Sequence, residues 1–506
     1  MSQKPQGKPQ KTALRFLREA NFPKWYQEVI SEADMADNSG VRGCMVIKPW
    51  GYGIWENLKA RLDQRIKETG HENCYFPLFI PLELIEKEAA HVEGFAKEMA
   101  VVTHHRLVAK DGKLVPAGEL ESPLVIRPTS ETMIGESFAK WIQSYRDLPV
   151  KINQWANVVR WEMRPRMFLR TSEFLWQEGH TAHADESEAR IETQTMLEEY
   201  RALAEDWLAI PVIPGEKSAA ERFPGAVETH TIEAMMQDGK ALQAGTSHYL
   251  GQNFSRAAEI KFQDKDGGES YAETTSWGVS TRLIGAIIMT HGDDNGLRVP
   301  PTVAPRQVVI LPIARDEEAA ARVLPAAQDL AARLNAQAAF GNPVRAFVDT
   351  RDINAGEKRW SWIKKGAPLI VELGPRDLDQ GTVMVTERTD IYGKTSHSTE
   401  AFVAGLADHM QSIQDTLFAE AKAYCDARVR TDITDLAGFH AFFKKDKYAT
   451  SGFVRAYWDE SAESEESLKP LGVSIRCLPY DQPTAPGTCV LTGNPATKQA
   501  IFAKAY

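Results

Sequence analysis

Three prolines close together, Pro300, Pro301 and Pro305, constrain the fold of this chain more than any other local feature. Proline fixes its own φ angle and has no N–H to donate, so the stretch Leu297–Gln307 predicts a stiff, extended connector. The chain has 506 residues, which is too long for one ordinary hydrophobic core and favours roughly three domains. The connector therefore marks a domain boundary, which we place at residues 301–305.

Before the connector, residues 1–300 show strand-like runs separated by loops rather than by regular crossover helices. This pattern favours an antiparallel sheet. Helical stretches at Ser130–Tyr145 and Glu186–Leu208 predict helices that flank the sheet, and together these features indicate an α+β domain. The predicted strands are Asn73–Pro81, Pro123–Pro128, Asn157–Met163, Glu173–His180 and Ala272–Val279.

After the connector, strands alternate with helices. Val308–Ile313 is a continuous apolar run, Glu357–Lys365 has helical character, and Thr382–Arg388 reads as a strand. Alternation of this kind predicts a small α/β domain with a largely parallel sheet, which we place at residues 306–402. A long amphipathic helix then leads into residues 403–506, which we expect to form a small α+β domain.

Composition excludes several classes of protein. The chain is 43% apolar and 25% charged, which is typical of a globular protein, and no run approaches the ~20 apolar residues of a membrane span. The polar, basic leader Met1–Lys11 does not resemble a secretory signal, so we expect a cytoplasmic protein. Five cysteines in a chain of this length argue against a disulfide scaffold, and none of them forms a Cys-x-x-Cys zinc half-site. The net charge of −10 neither indicates nor excludes nucleic-acid binding, because local basic patches decide that.

The segment Asn157–Arg170 is rich in arginine. Arg160 and Glu162 stand two residues apart on a predicted strand, so both side chains would point to the same face. Such a pair can grip an anionic group and hydrogen-bond a base or a ribose, since a guanidinium donates in pairs. Taken alone, the segment fits a surface hairpin with a salt-bridged edge better.

The segment Thr274–Gly292 predicts a small polar strand, then Arg282 at the start of an apolar helix. A helix N-terminus is already positive, so an arginine does not help the helix there. The position of Arg282 is explained if its guanidinium and the N–H groups of the helix N-terminus bind a polyphosphate together. An arginine that pairs with a neighbouring carboxylate is the alternative.

The segment Arg127–Glu131 presents Thr129 and Glu131 at the head of a predicted helix. A hydroxyl and a carboxylate at this place suit a cationic amine, although ordinary helix capping uses the same residue types.

Together and in this order, the three segments resemble the class II aminoacyl-tRNA synthetases, with Arg160-Trp161-Glu162 as motif 2 and Gly278–Arg282 as motif 3. Gly51–Glu56, leading to Tyr75-Phe76-Pro77, resembles motif 1. The closest resemblance is to the prolyl-tRNA synthetases, in the form shared by archaea, eukaryotes and some bacteria. It rests on RPTSET (Arg127–Thr132), NVVRWEMRPR (Asn157–Arg166), RTSEFLWQEGHTAHA (Arg170–Ala184), ALQAGTSHYLG (Ala241–Gly251), TTSWGVSTRLIGAIIMTHGDDNGLRVPP (Thr274–Pro301) and FAKAY (Phe502–Tyr506).

The resemblance implies that L-proline is activated with ATP and transferred to the 3′ end of tRNA(Pro), with Mg²⁺ as the counter-ion of the phosphates. It assigns Arg160 to the α-phosphate and the proline carboxylate, and Arg282 to the γ-phosphate. It also implies a homodimer that forms through motif 1. The further positions implied for ATP are Glu162 at the adenine amine, Arg170, Thr171, Gln243, Thr246 and Ser280.

For proline, the resemblance implies that Thr129 and Glu131 accept the two N–H groups of the ammonium. Trp176, Glu178 and His180 alternate along one predicted strand and would wall the ring together with His248, although core packing explains Trp176 almost equally well. An apolar slot excludes a smaller amino acid by only ~1–3 kcal/mol, so we predict misactivation of alanine or cysteine. Only about 110 residues separate motifs 2 and 3, which leaves no room for the bacterial-type editing insertion.

The resemblance weakens towards the C-terminus. The α/β domain resembles the family's anticodon-binding domain, and Arg351, Lys358 and Arg376 are its candidate tRNA contacts. Ile363 and Ile370 depart from the family pattern, which has a glutamate and an arginine there. Relatives often carry a four-cysteine zinc site in the C-terminal domain. Here Thr492 occupies the motif position that pairs with Cys489, so we predict no structural zinc. The terminal Tyr506 resembles a tyrosine that lies near the active site in the family.

Three other classes of protein are alternatives to this interpretation of the sequence. A synthetase for threonine, serine or glycine is disfavoured by RPTSE and WQEGHTAHA. A synthetase-like regulator that binds tRNA without catalysis would lose the arginines of motif 2 or motif 3, which this chain retains. A scaffold protein would not need this set of ligands.

Overall fold

The computed structural model describes residues 13–87, 98–444 and 452–506. The basic leader Met1–Lys11 lies outside these residues. In the described parts of the chain, no helix is both long and apolar enough to cross a membrane.

The first unit reaches to the connector and contains the predicted α+β arrangement. Its helices are α1 (Phe22–Glu32), α2 (Pro49–Glu68), α3 (Leu82–Lys87), α4 (Glu131–Trp141), α5 (Glu186–Ala202), α6 (Asn253–Ala258) and α7 (Arg282–His291). Its strands are β1 (Ala36–Asn38), β2 (Met45–Ile47), β3 (Glu72–Asn73), β4 (Phe79–Pro81), β5 (Ala100–Lys110), β6 (Lys113–Ile126), β7 (Val150–Val159), β8 (Glu173–His183), β9 (Val212–Glu216), β10 (Glu228–Met235), β11 (Ala241–Gly251), β12 (Lys261–Gln263), β13 (Glu269–Tyr271) and β14 (Glu273–Ser280).

The two helices that matter most for the site form for different reasons. The side chain of Asp185 accepts a hydrogen bond from the backbone N–H of Glu188 at 3.0 Å and caps the start of α5. Helix α7 is apolar on nearly every face, so it lies buried under the sheet. It begins at Arg282, as the sequence predicts.

The third unit follows the α/β unit and extends the sheet of the first. Helix α11 (Thr399–Ala404) joins it to the α/β unit, and its own elements are α12 (Leu406–Asp426), β22 (Val429–Arg430), α13 (Leu436–Phe443), β23 (Phe453–Trp458), α14 (Ala462–Glu466), β24 (Ser474–Pro479), β25 (Gly487–Thr488), β26 (Pro495–Ala496) and β27 (Lys498–Ala503). An eleven-stranded sheet runs in the order β22-β23-β27-β24-β9-β10-β11-β14-β8-β7-β3, antiparallel except at its two outermost pairs. The join is the pairing of β24 with β9 at Leu478–Glu216 and Pro479–Gly215. The antiparallel sheet is therefore confirmed, and it is shared by two units.

Three strand predictions in the first unit are wrong in extent. The predicted strand Pro123–Pro128 is only the end of β6, which begins at Lys113 and ends at Ile126. Asn73–Pro81 contains only β3 and β4, with an irregular stretch between them. Strand β7 ends at Val159, so Arg160 and Glu162 lie beyond it. The argument that they share a strand face therefore fails, and their common location has to come from other contacts.

The connector is buried between the first two units. The guanidinium of Arg345 donates to the carbonyl oxygens of Ala304 at 2.8 Å, Thr302 at 3.0 Å and Pro301 at 3.2 Å. Prolines cannot donate hydrogen bonds, so this arginine satisfies carbonyls that the connector would otherwise leave buried without partners.

The second unit is an α/β sandwich with a mixed sheet. Its elements are β15 (Val308–Pro312), α8 (Glu317–Asn335), β16 (Ala338–Ala339), β17 (Asn342–Pro343), β18 (Ala346–Val348), α9 (Ala355–Lys365), β19 (Leu369–Leu373), α10 (Pro375–Gln380), β20 (Thr382–Glu387) and β21 (Asp390–Ser398). Strand β15 is parallel to β18 and β19, but β20 is antiparallel to both of its neighbours. The prediction of a largely parallel sheet is wrong for that half, because only two residues join β20 to β21 and such a connection makes a hairpin.

In the third unit, the loop around Cys489 is organised by a carboxylate. Asp459 accepts hydrogen bonds from the Thr492 hydroxyl at 2.7 Å and from the Asn494 amide at 3.1 Å. Cys489 and Cys477 are both buried. Within residues 13–87, 98–444 and 452–506, no three His, Cys, Asp or Glu side chains are grouped as metal ligands.

Candidate active site

A cavity of about 320 Å³ lies against the sheet at β8, β14 and β11. Alternate side chains of β8 point into it, as the period of two along a strand requires. Helix α7 and the turn before α4 complete its walls. The predicted site residues that line it are Thr129, Glu131, Arg160, Trp176, Glu178, His180, Gln243, Thr246, His248, Ser280 and Arg282.

A second cavity of about 280 Å³ adjoins the first and shares Arg160, Ser280 and Arg282 with it. It contains the three other predicted residues, Glu162, Arg170 and Thr171. The two cavities together therefore hold every residue that the sequence assigns to the two small substrates.

Arg160 is fixed by its backbone and its guanidinium. Its N–H donates to the carbonyl of Ser172 at 2.8 Å, and its Nε donates to the carbonyl of Pro128 at 2.8 Å. The guanidinium carbon lies 5.5 Å from the ring centre of Trp176. Burial lowers the pKa of Arg160, although nearby carboxylates favour its charged form. A positive charge held in this way is stabilised by an anion that enters the cavity.

Arg282 occupies the first turn of α7, as predicted. Its Nε donates to the carbonyl of Leu169 at 3.1 Å, and its backbone N–H donates to the Ser280 hydroxyl at 3.2 Å. Burial, with repulsion from Arg170 and Arg160, lowers its pKa to about 10. The guanidinium is still protonated at neutral pH, and the helix N-terminus adds partial positive charge beside it. This end of the cavity is built for an anion.

Glu178 is held by three side chains around its buried carboxylate. Oε1 accepts from the Ser130 hydroxyl at 2.6 Å and from the Gln154 amide at 2.7 Å, and Oε2 lies 3.0 Å from His180 Nε2. Burial alone would raise the pKa of Glu178, but these hydrogen bonds hold it below its usual value. The carboxylate is therefore ionised and fixed in place.

The two histidines of the cavity differ in charge. Burial would lower the pKa of His180, but the hydrogen bond to Glu178 outweighs burial and raises it. Burial, with repulsion from His230 and His180, lowers the pKa of His248 to about 3. His248 is therefore neutral, and its ring stacks on Phe223 at 4.6 Å.

Thr129, Glu131 and the indole of Trp176 complete the wall of the first cavity. The Thr129 hydroxyl donates to the Glu131 carboxylate, so both residues point to one place. The indole N–H of Trp176 and the hydroxyl of Ser276 are buried and find no hydrogen-bond partner within the described residues. Unused polar groups in the wall favour a ligand-binding role for Trp176 over plain core packing.

In the second cavity, Arg170 forms an ion pair with Glu162. Glu162 is also fixed by its backbone N–H, which donates to the Ser172 hydroxyl at 3.2 Å. Thr171 donates its hydroxyl to the carbonyl of Glu173 at 2.7 Å. Arg160 and Glu162 thus reach neighbouring cavities because the chain turns back to Ser172, not because they share a strand face.

Several lining residues were not predicted from the sequence. Phe174 follows the same alternation as Trp176, so the period of two along β8 would have found it. Glu98 lies far from any motif. The segment Glu221–Pro224, in the loop between β9 and β10, also lines the first cavity, and no pattern in the sequence marks it.

The three candidate tRNA contacts of the second unit differ in exposure. Arg351 pairs with Asp349 at 2.6 Å, and Lys358 is buried and donates to the carbonyl of Asp349 at 3.1 Å. Arg376 is exposed. Ile363 and Ile370 are buried in the core.

The fold and the paired cavities define a class II tRNA synthetase core. The family described as "tRNA synthetase class II core domain (G, H, P, S and T)" matches residues 117–291. An anticodon binding domain matches residues 307–409, and "Prolyl-tRNA synthetase, C-terminal" matches residues 443–506. Enzymes of this class use ATP as a substrate.

Full-length relatives narrow the class to one family. The proline–tRNA ligase of Paramagnetospirillum magneticum is 59% identical over 99% of this chain and 100% of its own length. That of Protochlamydia amoebophila is 57% identical over 98% of this chain and 99% of its own. A crystal structure of prolyl-tRNA synthetase from Cryptosporidium parvum, complexed with halofuginone and AMPPNP, has a TM-score of 0.88 and 36% identity, covering 98% of this chain and 99% of that one. The chain belongs to the prolyl-tRNA synthetase family, whose reaction is the ligation of proline to tRNA.

Proposed function

We propose that this chain forms prolyl-adenylate from L-proline and ATP and then transfers proline to the 3′ end of tRNA(Pro). The observation that carries this proposal is that Arg160 and Arg282 face one cavity whose other walls hold Thr129, Glu131 and the Glu178–His180 pair. Pyrophosphate leaves in the first step and AMP in the second. Each step therefore needs the carboxyl group of proline and the α-phosphate in the same cavity.

The first step needs no general base, because the proline carboxylate is ionised at neutral pH. Catalysis then consists of positioning and of stabilising charge on the phosphorus oxygens. In our proposal Arg160 holds the α-phosphate beside the carboxylate, and Arg282 holds the γ-phosphate. The lowered pKa of each guanidinium supports this assignment, since an anion relieves the free energy of burying the positive charge.

The proposed Mg²⁺ arrives with ATP. Within the described residues no group of three side-chain ligands forms a cage for a metal ion. Magnesium binds phosphate oxygens and retains several waters, so the residues around the two cavities fit an ion that the nucleotide itself carries. When bound, the ion neutralises part of the charge on the phosphates, next to that neutralised by Arg160 and Arg282.

The second cavity is the proposed place of the adenine and its ribose. Glu162 accepts a hydrogen bond from the adenine amine. Arg170, which forms an ion pair with Glu162, closes over the base. Thr171, Gln243, Thr246 and Ser280 line the same two cavities and complete the nucleotide site. The structural relative from Cryptosporidium parvum, whose title names AMPPNP, supports the choice of nucleotide.

Proline lies deeper in the first cavity in this proposal. Thr129 and Glu131 accept the two N–H groups of its ammonium. Glu178 already accepts from three side chains, so we assign it the role of fixing His180 rather than of taking the ammonium alone. Trp176 and the neutral ring of His248 then face the apolar ring.

The tRNA-binding and assembly roles are also proposals. We infer that the second unit binds the anticodon, with the exposed Arg376 better placed than Lys358, whose ammonium is buried. We propose a homodimer through motif 1, where Tyr52 and Tyr75 leave large aromatic surfaces exposed. We propose that the protein acts in the cytoplasm, where translation consumes prolyl-tRNA. Sedimentation of the purified chain at twice its mass supports the dimer, and sedimentation as a monomer refutes it.

We propose domains at residues 1–300, 306–402 and 403–506, with residues 301–305 as the connector. The burial of the connector and the spans matched by the three family profiles support these bounds. We also propose that the third domain holds no structural zinc, because the Thr492 hydroxyl is bound to Asp459 beside Cys489. One zinc per chain in metal analysis of the purified protein would refute this.

The test of the proposed function is ATP–pyrophosphate exchange with each amino acid in turn. We expect exchange that depends on proline and a loss of about 100-fold or more in kcat/KM for Arg160→Lys and Arg282→Lys, since lysine cannot reproduce a guanidinium fork. The surface change Lys422→Gln, on α12, is the control and should leave exchange unchanged. Absence of exchange with every amino acid contradicts the proposal, and exchange with another amino acid contradicts the choice of proline.

A further inference from the structure

The loop between β9 and β10 carries an arginine that neither the sequence motifs nor the proposed function assigns. Residues 217–227 connect the two strands without helix or strand of their own. Arg222, in the middle of this loop, lines the first cavity. It does not line the second cavity, where the adenine is proposed to lie.

The loop is fixed at its start, in its middle and at its end, where the N–H of Val227 donates to the carbonyl of Tyr249 at 2.9 Å, so Arg222 is held in place. Lys217 donates to Glu233 at 2.9 Å, with both side chains buried, and the Ser218 hydroxyl donates to Glu465 at 2.5 Å. The N–H of Phe223 donates to the Thr229 hydroxyl at 3.0 Å. An arginine on a loop tied at these points presents its charge with little further loss of conformational entropy.

The guanidinium of Arg222 has bonding capacity that the described residues do not use. Its Nε is buried and has no hydrogen-bond partner among them. Among the described residues, the carboxylate within ion-pair distance is that of Glu216, at 3.8 Å from Nη2, which is long for a charge-assisted hydrogen bond. Burial, with repulsion from Glu228, also raises the pKa of Glu216, so this carboxylate is a weak partner. The side chain as a whole is half-buried, so its outer nitrogens stay open to a ligand, and a buried Nε–H without an acceptor indicates a missing partner.

We propose that Arg222 binds a backbone phosphate at the 3′ end of tRNA during transfer of proline; this rests on the proposed function. The terminal ribose hydroxyl has to come within about 3–3.5 Å of the proline carbonyl. The phosphate of that nucleotide is one ribose away, and so lies at the mouth of the proline-side cavity, where Arg222 lies. Arginine suits this ligand because its planar fork matches phosphate oxygens.

The test compares three variants in the two half-reactions. Arg222→Gln removes the charge, Arg222→Lys retains it, and Glu221→Gln removes an opposite charge from the adjacent position of the same loop. The variants are assayed for proline-dependent ATP–pyrophosphate exchange and for aminoacylation of tRNA(Pro) over a range of salt concentrations.

For Arg222→Gln we expect KM for tRNA to rise about tenfold, and the slope of log KM against log salt to fall by about one, as for the loss of one phosphate contact. KM for ATP in the exchange reaction should change much less, and Arg222→Lys should recover part of the tRNA affinity. Glu221→Gln should leave KM for tRNA unchanged or lower it.

Three results would overturn the inference: an unchanged KM for tRNA in Arg222→Gln, an equal rise in KM for ATP, which would assign Arg222 to the nucleotide phosphates, or the same loss in Glu221→Gln, which would indicate a disturbed loop. Failure of the proposed function is distinct, because wild-type protein would then show no proline-dependent exchange.

Discussion

At the scale of single residues, two histidines of the first cavity have opposite pKa shifts because their rings have different partners. His180 lies against an ionised carboxylate, whereas His248 lies against Phe223 and a threonine hydroxyl. The folded-state pKa of His180 is raised, so its contribution to stability is fully present below about pH 6.5, the ordinary value for histidine, and is lost as the pH rises through the raised value. The depressed pKa of Glu178 gives a contribution that is lost as the pH falls.

These charge states are directly measurable. In ¹⁵N-histidine-labelled protein we expect the ring of His180 to titrate above pH 6.5, and the ring of His248 to stay neutral at pH 5, because its pKa is lowered to about 3. His180→Gln and His248→Gln assign the two signals. A protonated His248 at pH 5, or a His180 ring that titrates below pH 6.5, contradicts the description of the pocket.

Phe223 gives a second prediction at this scale. Its ring stacks on His248 at 4.6 Å and forms part of the wall of the first cavity, where the proline ring is proposed to lie. Aromatic pairs of this kind contribute about 0.5–1.5 kcal/mol, so Phe223→Ala should raise KM for proline by about three- to tenfold. Phe223→Tyr keeps the stack and should behave like wild type. Kinetics of the exchange reaction at saturating ATP measure both, and an unchanged KM for proline in Phe223→Ala would show that the stack is not part of the proline pocket.

At the scale of elements, a buried charge cluster joins the first unit to the third. Glu233 on β10 accepts from Lys217 at 2.9 Å and from Arg476 on β24 at 3.0 Å. All three side chains are buried. The carboxylate therefore compensates two positive charges next to the place where β24 adds to the edge of β9.

Removing this carboxylate should destabilise the join. Glu233→Gln leaves two buried cations without their anion, and changes of this type cost about 3–5 kcal/mol. We expect a clear fall in the thermal midpoint of the unit that contains β9 and β10, and partial recovery in Glu233→Gln/Arg476→Met. Asp426→Asn, which breaks the exposed pair with Lys422, is the matched control and should change the midpoint little. Equal midpoints for Glu233→Gln and Asp426→Asn would mean that the cluster does not stabilise the join.

The sequence predicts the centre of the sheet better than its edges. The predicted strands Glu173–His180 and Ala272–Val279 agree with β8 and β14 within a few residues. The pairing of β24 with β9 joins residues more than 250 positions apart, and no local pattern encodes a contact of that range. The predicted end of β7 was wrong for a related reason: Arg160 leaves the strand because Ser172 offers it a different backbone partner. Arg222 was missed because an irregular loop has no period to reveal which side chains face a cavity.

At the scale of the whole molecule, the three units pack into shared cores. Leu283 and Ile287 of the first unit lie in one hydrophobic cluster with Val309 and Ile370 of the second. The third unit shares the sheet. The proline-rich connector is thus a packed segment, which fixes the anticodon-binding domain against the catalytic core instead of tethering it.

The whole chain also bears on the fidelity of the reaction. Between Arg170 and Glu273, the chain forms β8, α5, β9–β11, α6, β12 and β13, and the residues of this stretch pack on the catalytic core. This supports the proposal that no separate editing unit is inserted there. If proline binds in the first cavity as proposed, the walls exclude larger side chains by contact, but a smaller side chain enters and loses only the contacts that it fails to make.

The binding free energy that a smaller amino acid loses determines how often it is activated in place of proline. Missing methylene groups in an apolar pocket are worth ~1–3 kcal/mol, so alanine should be activated about 10–200-fold less efficiently than proline, and cysteine similarly. Alanine-dependent ATP–pyrophosphate exchange measures this ratio, with glycine as the amino acid that should be activated still less. Because the described residues of this stretch belong to the catalytic core and form no separate unit, alanyl-tRNA(Pro) incubated with the enzyme should decay no faster than in buffer. Rapid deacylation by the purified chain would mean that another part of the molecule hydrolyses the mischarged product, and the proposal that fidelity depends on the proline cavity alone would have to be abandoned.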